Sequence, residues 1–186
     1  MNYEGQICRG PMERSSYMLP VAVGCSYNRC KFCTLFRHLK YRELPMEQIE
    51  AELERVRSLG GNPKHVFLGD GNAFGLATKR LLEITDLIHR YFPGCQAINM
   101  DGTITNIQAK SREELLALRK AGIYHLYLGI ESGLDDVLRY MGKDHNLDQA
   151  YRQIDRIQRA GFIFDAHIMT GIAGHGRGLE NGTATA

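Results

Sequence analysis

Five apolar segments alternate with helical ones along the chain, and this order constrains the fold more than any other feature. A repeated strand-helix-strand order indicates βαβ units with parallel strands and right-handed crossovers. The helices are expected at 45–61, at 76–92, after the capping box Ser111–Glu114, and in two segments that follow residue 133. The predicted strands are residues 16–23, 64–69, 96–102, 123–130 and 162–172.

Unusual residues follow each of these strands. Five βα units can form an open doubly wound sheet or an arc of an α/β barrel, and both gather ligands at the carboxyl ends of the strands. We therefore expect one functional face. The segments that reach it are "GCSYNRCKFC", "GDGNAF", "DGTITN", "ESG" and "TGIAGHGRG".

Length and composition favour one globular domain. The 186 residues carry 24% charged side chains and a net charge of +2, so nucleic acid is not indicated as a partner. Every apolar run falls far short of the roughly 20 residues that a membrane helix needs. The start of the chain has no apolar core typical of a signal peptide. A cytoplasmic location is expected.

Three of the five cysteines lie in one loop. Cys25, Cys30 and Cys33 have the spacing C-x4-C-x2-C, which favours metal or redox chemistry in a reducing compartment over a disulfide framework. A complete iron–sulfur or structural zinc site takes four protein ligands. Three thiols therefore leave one coordination position open, as catalytic metal sites do for their substrates.

A non-catalytic zinc-binding α/β module is the alternative. The three cysteines of the loop would then form a closed site with a fourth ligand, either His38 or Cys8, and the glycine-rich strand ends would be only turns. Against it, the loop leads straight from a strand, and no second C-x-x-C or H-x-x-H half-site is present.

From Tyr17 onward the chain resembles the radical S-adenosylmethionine (SAM) superfamily, in particular its elongator-type and coproporphyrinogen-dehydrogenase-like branch. The usual family spacing is C-x3-C-x2-C, one residue shorter in its first gap. The resemblance implies a partial parallel (β/α) barrel of α/β class. It also implies that Cys25, Cys30 and Cys33 hold a [4Fe-4S] cluster whose fourth iron is chelated by SAM, which would explain the open position.

The same resemblance implies further SAM contacts near the start of the chain. Phe32, in "KFC", occupies the place of an aromatic residue whose backbone lies near the adenine. Gly69, Asp70 and Gly71 stand where the family has a "GGE" stretch that meets the SAM amino group. Taken alone, "GDGN" also fits a tight turn after a strand.

Two later strand ends complete the expected cofactor site. "ESG" implies that Glu131 and Ser132 contact SAM, although an acid at that place can equally cap a helix. "HIMTGIAGHGRG" implies that Gly171 and Gly174 approach the adenine closely and that Ile172 covers it.

The implied activity is radical chemistry on an unknown substrate. A reduced cluster would cleave SAM to a 5′-deoxyadenosyl radical that abstracts a hydrogen atom, with a flavodoxin- or ferredoxin-like one-electron reductant as partner. Residues 1–186 are expected to be the core domain, with 1–16 as an N-terminal extension and the sixth βα unit missing. The basic run 37–42 fits either a binding surface or a solvated face.

Overall fold

The computed structural model describes residue 4 and residues 7–186. Five parallel strands form the main sheet, and a separate two-stranded antiparallel ladder adjoins it. In chain order the strands are β1 (Tyr17–Pro20), β2 (Ala22–Val23), β3 (Arg42–Glu43), β4 (His65–Gly69), β5 (Ala97–Gly102), β6 (Ile123–Glu131) and β7 (Ile163–Ile168).

Helices connect successive strands of the main sheet. The predicted capping box is confirmed. The Glu114 amide donates a hydrogen bond to Ser111 Oγ at 3.1 Å, and the Ser111 amide donates one to Glu114 Oε2 at 2.8 Å. In chain order the helices are α1 (Met46–Ser58), α2 (Thr78–Tyr91), α3 (Ile104–Gln108), α4 (Arg112–Lys120), α5 (Asp135–Tyr140), α6 (Leu147–Arg159) and α7 (Gly178–Thr185). None of the helices in the described ranges has the length and apolarity to cross a membrane.

The strand order decides between the two architectures. The main sheet runs β1-β4-β5-β6-β7, so each strand lies beside the next one in the chain and the order never reverses. A doubly wound sheet needs such a reversal at its switch point. The sheet is therefore an arc of a parallel α/β barrel, as predicted.

Alternate strand residues face opposite sides of the sheet. On the helix side, side chains such as Val66, Met100 and Leu128 are fully buried in the main core. On the other, concave side, Asn99 and Tyr127 meet a carboxylate from the N-terminal segment. Glu13 is only 2% exposed and accepts hydrogen bonds from Asn99 Nδ2 at 2.7 Å and from the Tyr127 hydroxyl at 2.6 Å. Glu13 and Ser16 are thus buried in the folded core, although most of residues 7–12 are exposed.

Two predicted strands are shorter than expected. The segment 16–23 divides at Val21, after which β2 leaves the main sheet to pair with β3. The segment 162–172 ends at Ile168, because Gly171 and Gly174 adopt left-handed backbone conformations (φ +77° and +84°) that suit turns and not strands.

Candidate functional site

One pocket collects the carboxyl ends of the strands, as the sequence predicts. Its volume is about 420 Å³, and each of the five strand ends of the main sheet supplies at least one lining residue. These include Cys25 after β1 and β2, Gly71 after β4, Thr103 after β5, Glu131 at the end of β6 and His167 in β7.

All three cysteines of the loop line this pocket and are half-buried. Burial raises the pKa of the Cys25 thiol, although the backbone amides of Asn28 and Tyr27 oppose the shift by donating to its sulfur. Burial also raises the pKa of the Cys30 thiol, opposed chiefly by the positive charge of Lys143. A bound metal centre would supply the positive charge that deprotonates thiols in such surroundings.

The described residues show no ready-made site for a single metal ion. Among the described residues, no three His, Cys, Asp or Glu side chains converge on one metal position. Zinc binds each sulfur at about 2.3 Å, so its ligand sulfurs lie only about 3.8 Å apart. A four-iron cluster binds each cysteine to a different iron atom and needs no such convergence.

The two residues that could complete a zinc site do not support it. His38 is exposed and does not line the pocket. Cys8 does line the pocket, but it is exposed and does not converge with the loop thiols on one position. The zinc alternative therefore gains no support.

Hydrogen bonds within the cysteine loop (residues 24–42) and to another segment fix its backbone. The guanidinium of Arg37 donates to the carbonyls of Cys33 at 2.7 Å, Cys30 at 2.8 Å and Lys31 at 2.9 Å. From the other side, the Lys31 amide donates to the carbonyl of Met141 at 2.8 Å. The loop is thus held to the segment that follows α5.

The turn after β4 packs directly against the same loop. Gly71 has a left-handed conformation (φ +55°), and a Cβ atom there would overlap the Gly24 carbonyl and the Cys25 Cα. Asn72 joins the two segments, since its Oδ1 accepts the Ser26 amide at 3.1 Å and the Ser26 hydroxyl at 3.0 Å. Only a glycine at 71 permits this close approach.

A buried ion pair lies at the end of β6. Lys143 Nζ is 3.4 Å from Glu131 Oε1, and the two side chains are only 5% and 11% exposed. Glu131 has a left-handed conformation (φ +71°), uncommon outside glycine. A Cβ atom at Gly129 would overlap the Glu131 carboxylate and crowd Lys143, so a glycine there makes room for the pair.

Two aspartates face the pocket with different electrostatics. Burial, reinforced by the negative charges of Glu13 and Asp70, raises the pKa of Asp101 to about 7. Asp101 has no hydrogen-bond or ion-pair partner within the described part of the chain. Burial alone would raise the pKa of Asp144, but hydrogen bonds from His145 and Thr105 outweigh it and hold that pKa well below its usual range.

The structure does not bring every predicted SAM contact to the pocket. Ser132 is fully buried, and its hydroxyl donates to Asn181 at 2.5 Å. Asp70 does not line the pocket. Burial raises the pKa of its carboxyl group, and the backbone amides of Gly24 and Gly71, which donate to the carboxylate, oppose this shift. Gly69 and the predicted residues after β7 also lie outside the lining; the latter are Gly171, Ile172 and Gly174. Phe32 does line it.

Sequence reasoning missed several residues that the structure places at the pocket. Asn72 and Asp101 lie in the strand-end segments "GDGNAF" and "DGTITN", but neither residue is predicted individually, and Lys143 lies in no predicted segment. One signal was available for Asp101, because an acidic residue at the carboxyl end of a buried parallel strand is expected to face the ligand edge.

Comparison with known proteins agrees with this geometry. The family model of the radical SAM superfamily matches residues 19–178. The heme chaperone HemW of Bacillus subtilis is 25% identical over 140 residues, which are 74% of this chain and 36% of that protein. Four curated relatives match, and the chain spans between 33% and 38% of their lengths.

Solved structures share the fold. The cobalamin-dependent SAM radical enzyme OxsB, with aqua-cobalamin and SAM bound, superposes with a TM-score of 0.72 at 18% identity over 91% of this chain and 26% of its own. Coproporphyrinogen III oxidase (HemN) from Escherichia coli superposes with a TM-score of 0.63 at 14% identity, over 82% of this chain and 36% of its own. The predicted resemblance is confirmed: the chain belongs to the radical SAM superfamily, whose cofactors are a [4Fe-4S] cluster and SAM.

Proposed function

We propose that this chain is the catalytic core of a radical SAM enzyme in which Cys25, Cys30 and Cys33 hold the cluster. The observation that carries the proposal is that these three thiols line one pocket together with the ends of the parallel strands. When bound, the cluster and SAM together supply a 5′-deoxyadenosyl radical that abstracts a hydrogen atom from the substrate.

Lys143 is proposed to bind the carboxylate of SAM. Its ammonium is nearly buried, lines the pocket, and lies close enough to the cysteines to lower the pKa of the Cys25 and Cys30 thiols. A desolvated ammonium forms a strong charge-assisted hydrogen bond with a carboxylate. The cation is therefore near the sulfurs, where it would hold the carboxylate of a SAM molecule bound to the cluster.

Glu131 positions this cation and presents polar atoms to the rest of SAM. One carboxylate oxygen contacts Lys143 at 3.4 Å, which leaves the other for the ribose or the methionine amino group. Glu131 lines the pocket and has a left-handed φ of +71°. A helix-capping role has no support, because α5 has no side-chain cap.

Apolar residues of the cysteine loop are proposed to exclude water. Phe32, Leu35 and Phe36 line the pocket together with the three thiols. The Phe32 ring lies 5.9 Å from Lys143 Nζ, so it also covers the ammonium. Excluding water around reactive intermediates protects them from side reactions.

Electrons are proposed to come from a one-electron reductant of the flavodoxin or ferredoxin type, in a reducing compartment. All five cysteines are free thiols. The substrate is proposed to enter the same pocket beside Asp101, whose carboxyl group has no partner in the described chain and faces the open volume.

Anaerobic reconstitution with iron and sulfide tests the function. We expect four irons and four sulfides per chain, and an electron paramagnetic resonance spectrum of the reduced protein that changes when SAM is added. Cys30→Ala should abolish the four-iron product. Cys95→Ala is the matched control, because Cys95 is buried but does not line the pocket. Stoichiometric zinc without any reconstituted cluster would refute the proposal.

A further inference from the structure

The excess positive charge of the chain is concentrated in the cysteine loop. Residues 24–42 contain five Arg or Lys residues and no Asp or Glu. The whole chain has 23 basic and 21 acidic residues, so 18 basic residues (23 minus 5) remain against 21 acidic ones elsewhere. The loop is thus a basic segment on an otherwise slightly acidic protein.

The loop has two chemically different sides. Cys30, Phe32 and Cys33 line the pocket. Arg29 and Lys31, the chain neighbours of Cys30, do not line it and are exposed. A group bound to Arg29 or Lys31 would therefore lie one residue along the chain from Cys30.

The cations on the solvent side are available for a partner. Arg29, Lys31 and Lys40 are exposed, and within the described ranges none of them forms an ion pair with the protein's own acids. Lys31 Nζ lies 4.3 Å from the ring centroid of Tyr140, which is itself 67% exposed. An exposed aromatic residue beside unpaired cations is typical of the residues that carry binding energy in protein interfaces.

The surroundings favour a compact acidic protein over an RNA strand. The exposed acid Asp135 begins the helix that ends at Tyr140, and exposed Glu43 follows the loop. An extended phosphate backbone would run from the basic surface onto these acids and be repelled. A protein can match a small positive surface with a small negative one.

We propose that the exposed surface formed by Arg29 and Lys31 of the cysteine loop and by Tyr140 of α5 docks an acidic one-electron carrier protein. The inference rests on the proposed function, since it gives the carrier a site to reduce. One electron leaves the bound carrier, which is oxidised by one unit, and enters the centre held by the cysteines, which is reduced by one unit.

Binding and reduction of the cluster-loaded chain test the proposal, with an acidic flavodoxin as the probe. Lys31→Glu and Arg29→Glu should each weaken flavodoxin binding about tenfold at low salt. The effect should shrink at about 0.2 M salt, where exposed charges are screened. Tyr140→Ala should weaken binding at both salt concentrations. Lys79→Glu is the matched control, since its side chain is 90% exposed on α2, outside this surface.

Iron content and photoreduction by the small molecule deazariboflavin separate the two proposals. We expect wild-type iron content and deazariboflavin reduction in the variants, with slower reduction by flavodoxin alone. Unchanged flavodoxin affinity in both charge-reversal variants would overturn the docking proposal and leave the function standing. Loss of transfer RNA binding in these variants, with flavodoxin binding intact, would also overturn it and assign the surface to RNA. A chain that reconstitutes no cluster would refute the proposed function, on which the docking proposal rests.

Discussion

Replacing Lys143 by Met tests the assignment of the SAM carboxylate site. The substitution keeps the length and the apolar stem of the side chain but removes the ammonium that pairs with Glu131. Two effects are expected and can be measured separately. SAM should lose a charged partner, and the Glu131 carboxylate should be left in the pocket without its cation.

The size of each effect follows from the burial of the pair. A hydrogen bond to a charged group contributes about 1.5–3 kcal/mol, which converts at about 1.4 kcal/mol per tenfold to a 10- to 100-fold rise in the Kd for SAM. Removing one partner of a buried ion pair costs about 3–5 kcal/mol of unfolding free energy. We expect the lower end, because the Glu131 side chain keeps 11% exposure and faces the pocket.

Equilibrium dialysis of labelled SAM against the cluster-loaded variant measures the first effect, and urea unfolding of the metal-free protein measures the second. Adding Glu131→Gln to Lys143→Met should restore most of the stability but not the affinity. Lys110→Met is the control, since Lys110 is also buried but donates to the Leu76 carbonyl at 2.9 Å, away from the pocket. A Kd for SAM within twofold of wild type in Lys143→Met would refute the assignment.

Three further perturbations have defined outcomes. Gly71→Ala should reduce iron loading to less than half, because its Cβ would overlap the cysteine loop, whereas Gly171→Ala should not, since nothing lies within 4 Å of a Cβ there. Asp101→Asn should remove a pH dependence of urea unfolding. Burial raises the pKa of Asp101 from 3.8 to about 7, so between these values only the folded state keeps the proton. The stability of the wild type should therefore fall as pH rises through that window, by at most about 1.4 kcal/mol per pH unit. An equal slope in the variant would contradict this. Arg37→Ala should shorten the survival of the cluster against a chelator about tenfold by removing three hydrogen bonds to the loop, while Arg152→Ala, on an exposed helix face, should leave it unchanged.

The parallel sheet and the converging strand ends were predictable from the sequence. Buried parallel strands are continuous apolar runs such as "HVFLG" and "IYHLYLGI", and their period and spacing identify βαβ units without a structure. That the three cysteines lie in one loop was predictable for another reason. Their spacing alone requires a common loop, wherever the loop lies in the fold.

Single contacts within the pocket were not predictable to the same degree. Ser132 follows Glu131 directly, yet its hydroxyl bonds to Asn181 from α7, a contact 49 residues away in sequence. Arg37 was assigned to a basic run, but its guanidinium binds backbone carbonyls that only the folded loop brings together. Such contacts depend on the path of the backbone between distant segments, which a local pattern does not encode.

The Glu13 carboxylate has a practical consequence for anyone who shortens this protein. A boundary placed just before β1 would look safe from the sequence, since residues 7–16 contain no regular strand or α-helix. It would remove the acceptor of the Tyr127 hydroxyl and of Asn99 Nδ2 and leave both donors in the interior without a partner. Unsatisfied buried donors cost about 1–3 kcal/mol each. Expression boundaries should therefore keep Glu13, and a poorly soluble truncation that begins at Tyr17 would indicate a lost acceptor and not a faulty barrel.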